Sequence, residues 1–502
     1  MLALVHACTF VHLSRTIRAR YAGPTRAFFL VLSLTQFHIP YYAGRTLPNF
    51  MALPFGRSPS FLLGRGVPFP DTRQTVLLAY SWLLRSVRNV APESIHTKRI
   101  RNAIILLTAV STVIRLEIAL LLLPLCLALI LTGKSTVWAV VKAGMTGGFG
   151  SLGILLFDPV RAALLIVIVT AISSPIDYCF WSPVIPHPSL PTFTSTLQIL
   201  WPELSAFLYN FFEGQAANWG VSPWWYYMGN DLPKVLMGSL PLFLAGLGIV
   251  SLSMMGVGGK WSNVVRGRMQ EVISLFGLGV VGMIGGLSCV GHKEWRFVVY
   301  VVPIINLLAA IMAAALWEMP YRRLRILARL GLIGLVFANL LVTAFSTYLS
   351  TNNYPGGEIS GVMERLEEGR NRSISIHHHS YPLQTGASLF TFVHSSPSPT
   401  TSHSWSAIPS PAEPEWFYIK DEDPALLSST GAWNAGFDYV VTDVDGWEKD
   451  ETGWMIAAEI EGLQGVRRGG KWGLEVAWGR KLVVYGRDHR QWKLIHRRSS
   501  SL

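Results

Sequence analysis

HKEWRFVVYVVPIINLLAAIMAAALW, residues 292 to 317, decides the fold. From Phe297 to Trp317 it carries no charged side chain, which is long enough for a helix to cross the hydrocarbon core of a bilayer. Immediately before this run stand His292, Lys293, Glu294 and Arg296. One or two snorkelling groups would anchor a helix end; ionisable groups of both signs, concentrated in so short a turn, ask for something to touch. A carboxylate beside cations at a membrane surface suits a substrate bearing both phosphate and hydroxyl groups. The residues alone leave two readings open, an interfacial anchor and such a site.

The rest of the chain agrees with a bilayer setting. Half of its 502 residues are hydrophobic, only 14% are charged, and mean hydropathy is positive, which excludes an ordinary soluble domain and implies a polytopic α-helical membrane protein. A net charge of +12 would suggest nucleic acid in a soluble protein, but here the cations cluster in short loops beside apolar runs, so no nucleic-acid partner is expected. Four widely spaced cysteines form neither a disulfide framework nor a zinc module. The clearest spans are residues 234–257, 272–291, 297–316 and 330–349; less regular apolar runs cover 27–43, 75–90, 102–132 and 136–174. The run 102–132 is too long for one upright span and contains Arg115 and Glu117, which predicts a tilted or broken helix.

The positive-inside rule orients these spans. Loops 258–270, with Lys260, Arg266 and Arg268, and 321–329, with Arg322, Arg323, Arg325 and Arg329, are expected to face the cytosol. The HKEWRF turn, the loop 175–233 and everything after residue 350 then share the other side. Residues 1–349 form the expected multi-spanning domain, with loops 175–233 and 292–296 on its non-cytosolic face. Residues 350–502 mix apolar and polar positions and contain strand-like KLVVYG, so they read as a small α+β domain interrupted by a Pro/Ser-rich, disordered insertion at 395–415. Asn371-Arg372-Ser373 fits a glycosylation sequon on that side.

The loop 175–233 carries IDYCFW (176–181), WPE (201–203) and NWGVSPWWYY (218–227), in which Asp177 and Glu203 are interleaved with tryptophans. Aromatics there suit an interface belt, and equally suit stacking on sugar rings or isoprenes. HKEWRF followed by VVYVVPIINLLAA resembles the signature of the dolichyl-phosphate-mannose-dependent mannosyltransferases of glycosyltransferase family 22. SLTQFHIPYYAGRTLPNFMALPF (33–55), VIRLEIALLL (113–122), IDYCFW, WPEL, NWGVSPWWYY and NYPGGE (353–358) most resemble its α-1,6-transferring branch, over most of the chain from about residue 25.

That resemblance implies a GT-C bundle in the endoplasmic reticulum membrane, with lumenal active-site loops and a lumenal C-terminal domain. It implies dolichyl-phosphate-mannose as lipid donor and a dolichyl-diphosphate oligosaccharide, Man7GlcNAc2-PP-dolichol, as acceptor, with inversion and no further cofactor or metal. Inversion needs a carboxylate to take the acceptor's proton and cations for the departing phosphate. On residue type, His292, Lys293 and Arg296 go to the phosphate, Asp177 and Glu294 to catalysis or sugar hydroxyls, and Arg45, Glu203, Asn218 and Trp219 to substrate binding. The family opens with a helix and an acidic lumenal loop, whereas MLALVHACTFVHLSRTIRAR resembles the end of its second helix. The chain is therefore expected to be N-terminally truncated relative to the family. Segments 182–199 and 56–74 interrupt the family pattern and are expected to be insertions or gene-model errors. Asp443-Val444-Asp445 imitates a nucleotide-sugar motif but reads as a loop, and His377, His378 and His379 lack further ligands for a metal. Competing readings are α-1,2 transfer to an N-glycan or glycosylphosphatidylinositol precursor, a lipid transporter, and an inactive fragment.

Overall fold

The computed structural model describes residues 2–53, 76–86, 93–151, 214–388, 394, 416–420, 423–444, 453–469 and 474–487, apart from positions 22, 46, 215, 218, 219 and 371. The segments 56–74, 182–199 and 395–415, the asparagine of the sequon and Asp445 lie outside the described residues. The chain divides into two compact units, Met1–Ala344 and Phe345–Leu502.

Helices build the first unit: α1 (Leu2–Arg20), α2 (Thr25–Leu34), α3 (His38–Tyr42), α4 (Pro48–Ala52), α5 (Val76–Ser86), α6 (Glu93–Val113), α7 (Ala119–Leu131), α8 (Val137–Ser151), α9 (Leu232–Leu236), α10 (Ser239–Met254), α11 (Lys260–Ser288), α12 (Val302–Trp317) and α13 (Arg322–Thr351), the last reaching past the boundary between units. Among the described residues, Lys260–Ser288, Trp295–Trp317 and Arg322–Thr351 are long and apolar enough to cross a membrane, and α9 with α10 adds a fourth span if the bent pair counts as one. The apolar windows of two of these are buried very differently, 94% around α12 and 11% in α13. The first is therefore the hub of the bundle. The second turns Ile333, Phe337, Leu340 and Leu341 outward, as a lipid-facing helix does.

Close helix contact replaces hydrophobic driving force where lipid is the solvent. Along α11, a Cβ at Gly282 would lie 2.3 Å from Pro124 Cγ of α7, and one at Gly286 would lie 2.8 Å from Leu120 Cδ2. The run 102–132 is indeed broken: α6 ends at Val113, Arg115 is extended (φ −155°, ψ 108°), and a 3-10 turn at Leu116–Ile118 starts α7. A second break separates α9 from α10, which meet at 113°. There Met237 takes φ +49°, and a Cβ on Gly238 would collide with Asn339 Oδ1 and Leu335.

A helix break at membrane depth frees backbone groups that lipid cannot satisfy. Side chains with essentially no exposure take them up. Gln36 Nε2 donates to the Leu236 carbonyl (2.8 Å) and lies 3.0 Å from Ser239 Oγ, and the Gly238 N–H donates to Asn339 Oδ1 (2.9 Å). Gln36 and Asn306 form a reciprocal amide pair, 2.9 Å in each direction, and Asn306 also donates to Ser33 Oγ.

The helix ends sort into two groups. At one, Arg20 pairs with Glu271 (2.5 Å), Trp261 Nε1 donates to the Ala315 carbonyl, Arg266 to that of Ser253, and Arg329 to that of Trp317. At the other, the Ser222 N–H donates to the Gly291 carbonyl and the Trp295 ring meets His38 and Tyr42. The basic segments 258–270 and 321–329, expected as loops, are mostly helical, with α11 starting at Lys260 and α13 at Arg322. Hydropathy marks where a helix leaves lipid, not where it ends, and Lys and Arg are good helix formers.

The second unit holds a five-stranded sheet in the order β2-β1-β3-β5-β4, from β1 (Ile374–His378), β2 (Trp416–Ile419), β3 (Tyr439–Asp443), β4 (Met455–Arg468) and β5 (Leu474–Gly486). β1 is parallel to β2 and β3, while β5 is antiparallel to β3 and β4. Ile374, Ile376, Tyr439, Val441 and Leu482 fill its core with Ile359 and Met363 from the helix Ile359–Leu366. Burial would raise the Glu367 carboxyl, but hydrogen bonds from Arg372 and Tyr439 outweigh it and hold the group below the usual range.

Gln36→Leu leaves the Asn306 amide and the Leu236 carbonyl short of a partner and should cost roughly 1–3 kcal/mol. The double variant Gln36→Leu/Asn306→Leu should then melt higher than the sum of the single losses implies, as thermal unfolding in detergent will show; additive losses would refute the coupling. In the second unit, burial and then the neighbouring His377 lower the His378 and His379 imidazoles from 6.5 to about 4. The unfolded chain thus binds more protons between those values. Stability is therefore full above about pH 6.5 and falls toward pH 4, by about 1.4 kcal/mol per imidazole for each pH step of one. Limited proteolysis should cut residues 359–486 faster at about pH 5 than at about pH 7.5, an effect lost on replacing both imidazoles by Gln.

Candidate functional site

The HKEWRF turn follows the end of α11, and Trp295–Val301 is a 3-10 helix that runs into α12, whose second residue is Pro303. Proline needs no donor in a first helical turn, so the tight segment joins the hub helix without an orphaned N–H. Three of the four ionisable side chains converge. Glu294 Oε1 lies 2.9 Å from His292 Nε2 and accepts from Arg296 Nη2 at 2.8 Å, and Arg296 Nε closes a second contact with the same carboxylate. All three side chains are a quarter to a third exposed, so the cluster is open on one side. Arg296 also lies over the Phe297 ring, 5.7 Å from its centroid.

Lys293 goes the other way. It is 7% exposed, and its ammonium donates to the carbonyls of Ser222 (3.0 Å) and Val290 (2.6 Å), which occupies two of its three donors. Burial lowers it from the ordinary lysine range. Its geometry is that of a staple tying segment 221–223 to the turn. Arg45 stacks on Tyr41 (4.2 Å) and Tyr42 (5.3 Å), and Tyr42 meets Trp295 with ring centroids 4.8 Å apart. Arg45 is thereby linked to the turn through an aromatic floor completed by His38 and Phe50. Asp177, Glu203, Asn218 and Trp219 lie outside the described residues.

Several groups at this end have no counterpart among the site residues read from the sequence. The buried hydroxyl of Tyr227, in a π-helical turn Tyr227–Asp231, receives the Glu294 N–H (3.4 Å) and feels the charges of Asp231, Glu117 and Glu294. Asn49 Nδ2 donates to Glu117 and lies 3.2 Å from the Tyr300 hydroxyl. Glu117 stood out in the sequence as a charge inside an apolar run, which indicated a break but not its partners. Trp224 and Trp225 lead into the π-helical turn and are largely exposed.

No three His, Cys, Asp or Glu side chains among the described residues group as metal ligands. His377 and His378 stack on different rings, Phe437 and Tyr418, as consecutive residues of a strand that point to opposite faces.

Membrane-crossing helices with a charged, half-open turn over an aromatic floor at one end are the architecture of a polytopic membrane protein. The sequence pattern of the Alg9-like mannosyltransferase family matches residues 1–397, and the chain belongs to that family. It is 26% identical over 434 residues to a probable Dol-P-Man:Man(7)GlcNAc(2)-PP-Dol alpha-1,6-mannosyltransferase of Schizosaccharomyces pombe, covering 86% of this chain and 60% of that protein. The Drosophila melanogaster protein of the corresponding name is 24% identical, with 90% of this chain and 51% of the relative covered, and that of Saccharomyces cerevisiae is 27% identical, with 72% and 52% covered. The chain thus spans about half to three fifths of the length of these relatives.

If Lys293 is a staple, Lys293→Met strands the Ser222 and Val290 carbonyls and should lower stability by roughly 1–3 kcal/mol. Thermal unfolding will read this, and an unchanged midpoint would exclude the staple.

Proposed function

We propose that this chain transfers mannose from dolichyl-phosphate-mannose to Man7GlcNAc2-PP-dolichol in α-1,6 linkage, as a GT-C enzyme of the endoplasmic reticulum membrane. The HKEWRF turn and the C-terminal unit then face the lumen, and the end bearing Arg266 and Arg329 faces the cytosol. The observation that carries this reading is Glu294 held between His292 and Arg296 in an open cluster, in a chain whose relatives bear that activity in their names.

In the reaction, an acceptor hydroxyl attacks the anomeric carbon from the face opposite the phosphate, the bond from that carbon to the phosphate oxygen breaks, and a carboxylate takes the hydroxyl proton. Arg296 and His292 stabilise the leaving dolichyl phosphate, and Glu294 holds both at fixed distance and meets a sugar hydroxyl. Asp177 is the proposed base. Glu203, Asn218, Trp219 and Arg45 contact substrate, with Lys293 adding positive potential from beneath. Trp295, Tyr42 and His38 offer faces for a sugar ring or the first isoprene. No cofactor beyond the lipid donor is invoked. Membrane lipids, the donor and the dolichyl-diphosphate oligosaccharide are the partners.

The test is the lipid-linked oligosaccharide profile of cells lacking the α-1,6 activity. The chain should move the accumulated seven-mannose species to the full-length glycan, and Glu294→Gln should reduce transfer by about a hundredfold or more. A seven-mannose profile unchanged with the protein in the membrane would sink the assignment. Unchanged turnover in Glu294→Gln would remove that residue alone.

A further inference from the structure

The charged turn accounts for a phosphate but leaves unexplained a second polar group beside it. Asp231 is 5% exposed; its Oδ1 accepts from Asn230 (2.9 Å), while its Oδ2 is buried with no hydrogen-bond partner among the described residues. Asn49 is fully buried, and its Oδ1 likewise has no partner there, although its Nδ2 is engaged by Glu117 and Tyr300. Burying acceptors without donors costs free energy that native proteins avoid unless something else supplies the hydrogens. Both residues belong to one neighbourhood. Tyr227 lies within electrostatic reach of Asp231, Glu117 and Glu294 together, and Asp231 within reach of Glu294.

Three features narrow the ligand. Asp231 Oδ2 and Asn49 Oδ1 are acceptors, so a ligand that meets them brings donors. The acceptors are not grouped as metal ligands. The surroundings are aromatic: Asn49 Nδ2 lies by the Tyr300 hydroxyl, and Phe50, the next residue, packs against the Tyr42 and Trp295 rings. Neutral hydroxyls on a ring with an apolar face combine these requirements, which is the chemistry of a hexose. Lys234 lies within electrostatic reach of Asp231 and Arg115 within reach of Tyr300, so the group carries both signs and differs from the Arg296 cluster in presenting unfilled acceptors. The π-helical turn sets Asp231 behind Tyr227, an irregularity of the kind that recurs at functional sites.

We infer that Asp231, Glu117, Asn49 and Tyr227 form a subsite for sugar hydroxyls beside the phosphate-binding turn. This rests on the proposed mannosyl transfer for its location next to a phosphate, and only the sugar could come from either substrate, donor or acceptor.

Binding measurements on the full chain in detergent separate these sources and keep the two proposals apart. The probes are a short-chain isoprenyl phosphate, the same isoprenyl phosphate carrying mannose, and a mannose oligosaccharide without lipid. Asp231→Asn and Glu117→Gln should weaken by at least about tenfold either the phosphomannose, if the donor sugar sits there, or the oligosaccharide, if the acceptor does. Both should leave the isoprenyl phosphate unaffected, and Asp231→Glu should recover part of the loss. Near-equal affinities of wild type and both variants for all three probes would overturn the subsite, with thermal unfolding confirming that the variants fold. Isoprenyl phosphate binding that ignores Arg296→Ala would instead overturn the phosphate role of the turn, and the two sugar probes would still decide the subsite.

Discussion

The bundle depends on the hydrogen bonds that compensate the helix break at Met237 and Gly238. A continuous helix from 227 to 254 would satisfy its own backbone but would carry Tyr227 and Asp231 on one straight axis with α10. Bending the chain by 113° brings the preceding turn back toward Glu294, and the penalty is a set of exposed amide groups in a solvent that cannot bond them. Gln36 covers the Leu236 carbonyl and Asn339 the Gly238 N–H. These side chains come from α13 and the α2–α3 connection, and Asn306 on the hub helix holds Gln36 in place. One local irregularity therefore fixes the mutual position of α2, α9, α10, α12 and α13.

The same geometry explains how charges persist beside a bilayer. Glu294 remains a quarter to a third exposed and is paired with two partners, so neither full desolvation nor an isolated charge arises. Lys293, which is buried, avoids the penalty differently, by taking backbone carbonyls that the turn would otherwise leave open. Adjacent residues thus solve one problem in two ways. Arg296 keeps an orientation that a ligand can reach; Lys293 does not need one.

Much of this was legible in the sequence where chemistry and hydropathy coincide. The spans around 272–291, 297–316 and 330–349 each fall on a long helix, because each is apolar over a bilayer's thickness, and Arg115 and Glu117 marked a real break between α6 and α7. The helix limits were less legible, since a basic segment outside lipid stays helical without any apolar signal. The π-helical turn and the positive φ at Met237 were not legible at all. YMGNDLPKVLM carries a proline that is acceptable in a first turn, and nothing local says that the bend falls four residues after it, because Asn339 lies about a hundred residues downstream and Gln36 two hundred upstream. Contacts made across that distance have no sequence signature in a single chain. For the same reason Tyr227 reads as one aromatic among many in NWGVSPWWYY, and only the fold sets its hydroxyl against the Glu294 backbone.

The charge balance at this end of the bundle constrains what can bind there. His292 and Arg296 converge on one carboxylate in the turn, so the Glu294 charge is already matched by the Arg296 guanidinium. Glu117 and Asp231 also lie within electrostatic reach of Tyr227, with Arg115 and Lys234 acting nearby. Under the proposed function, a ligand that spans both regions offers phosphate to Arg296 and neutral donors to Asp231 and Asn49; a lipid phosphate alone would leave the second region unfilled, and a free oligosaccharide would leave the first. The proposed donor, a sugar phosphate on an isoprenoid, would meet both demands at once, beside the Trp295, Tyr42 and Phe50 rings that pack against one another. On that proposal, the arrangement of Arg296, the Tyr227 hydroxyl and the unfilled acceptors of Asp231 and Asn49 would orient such a molecule before any chemistry begins.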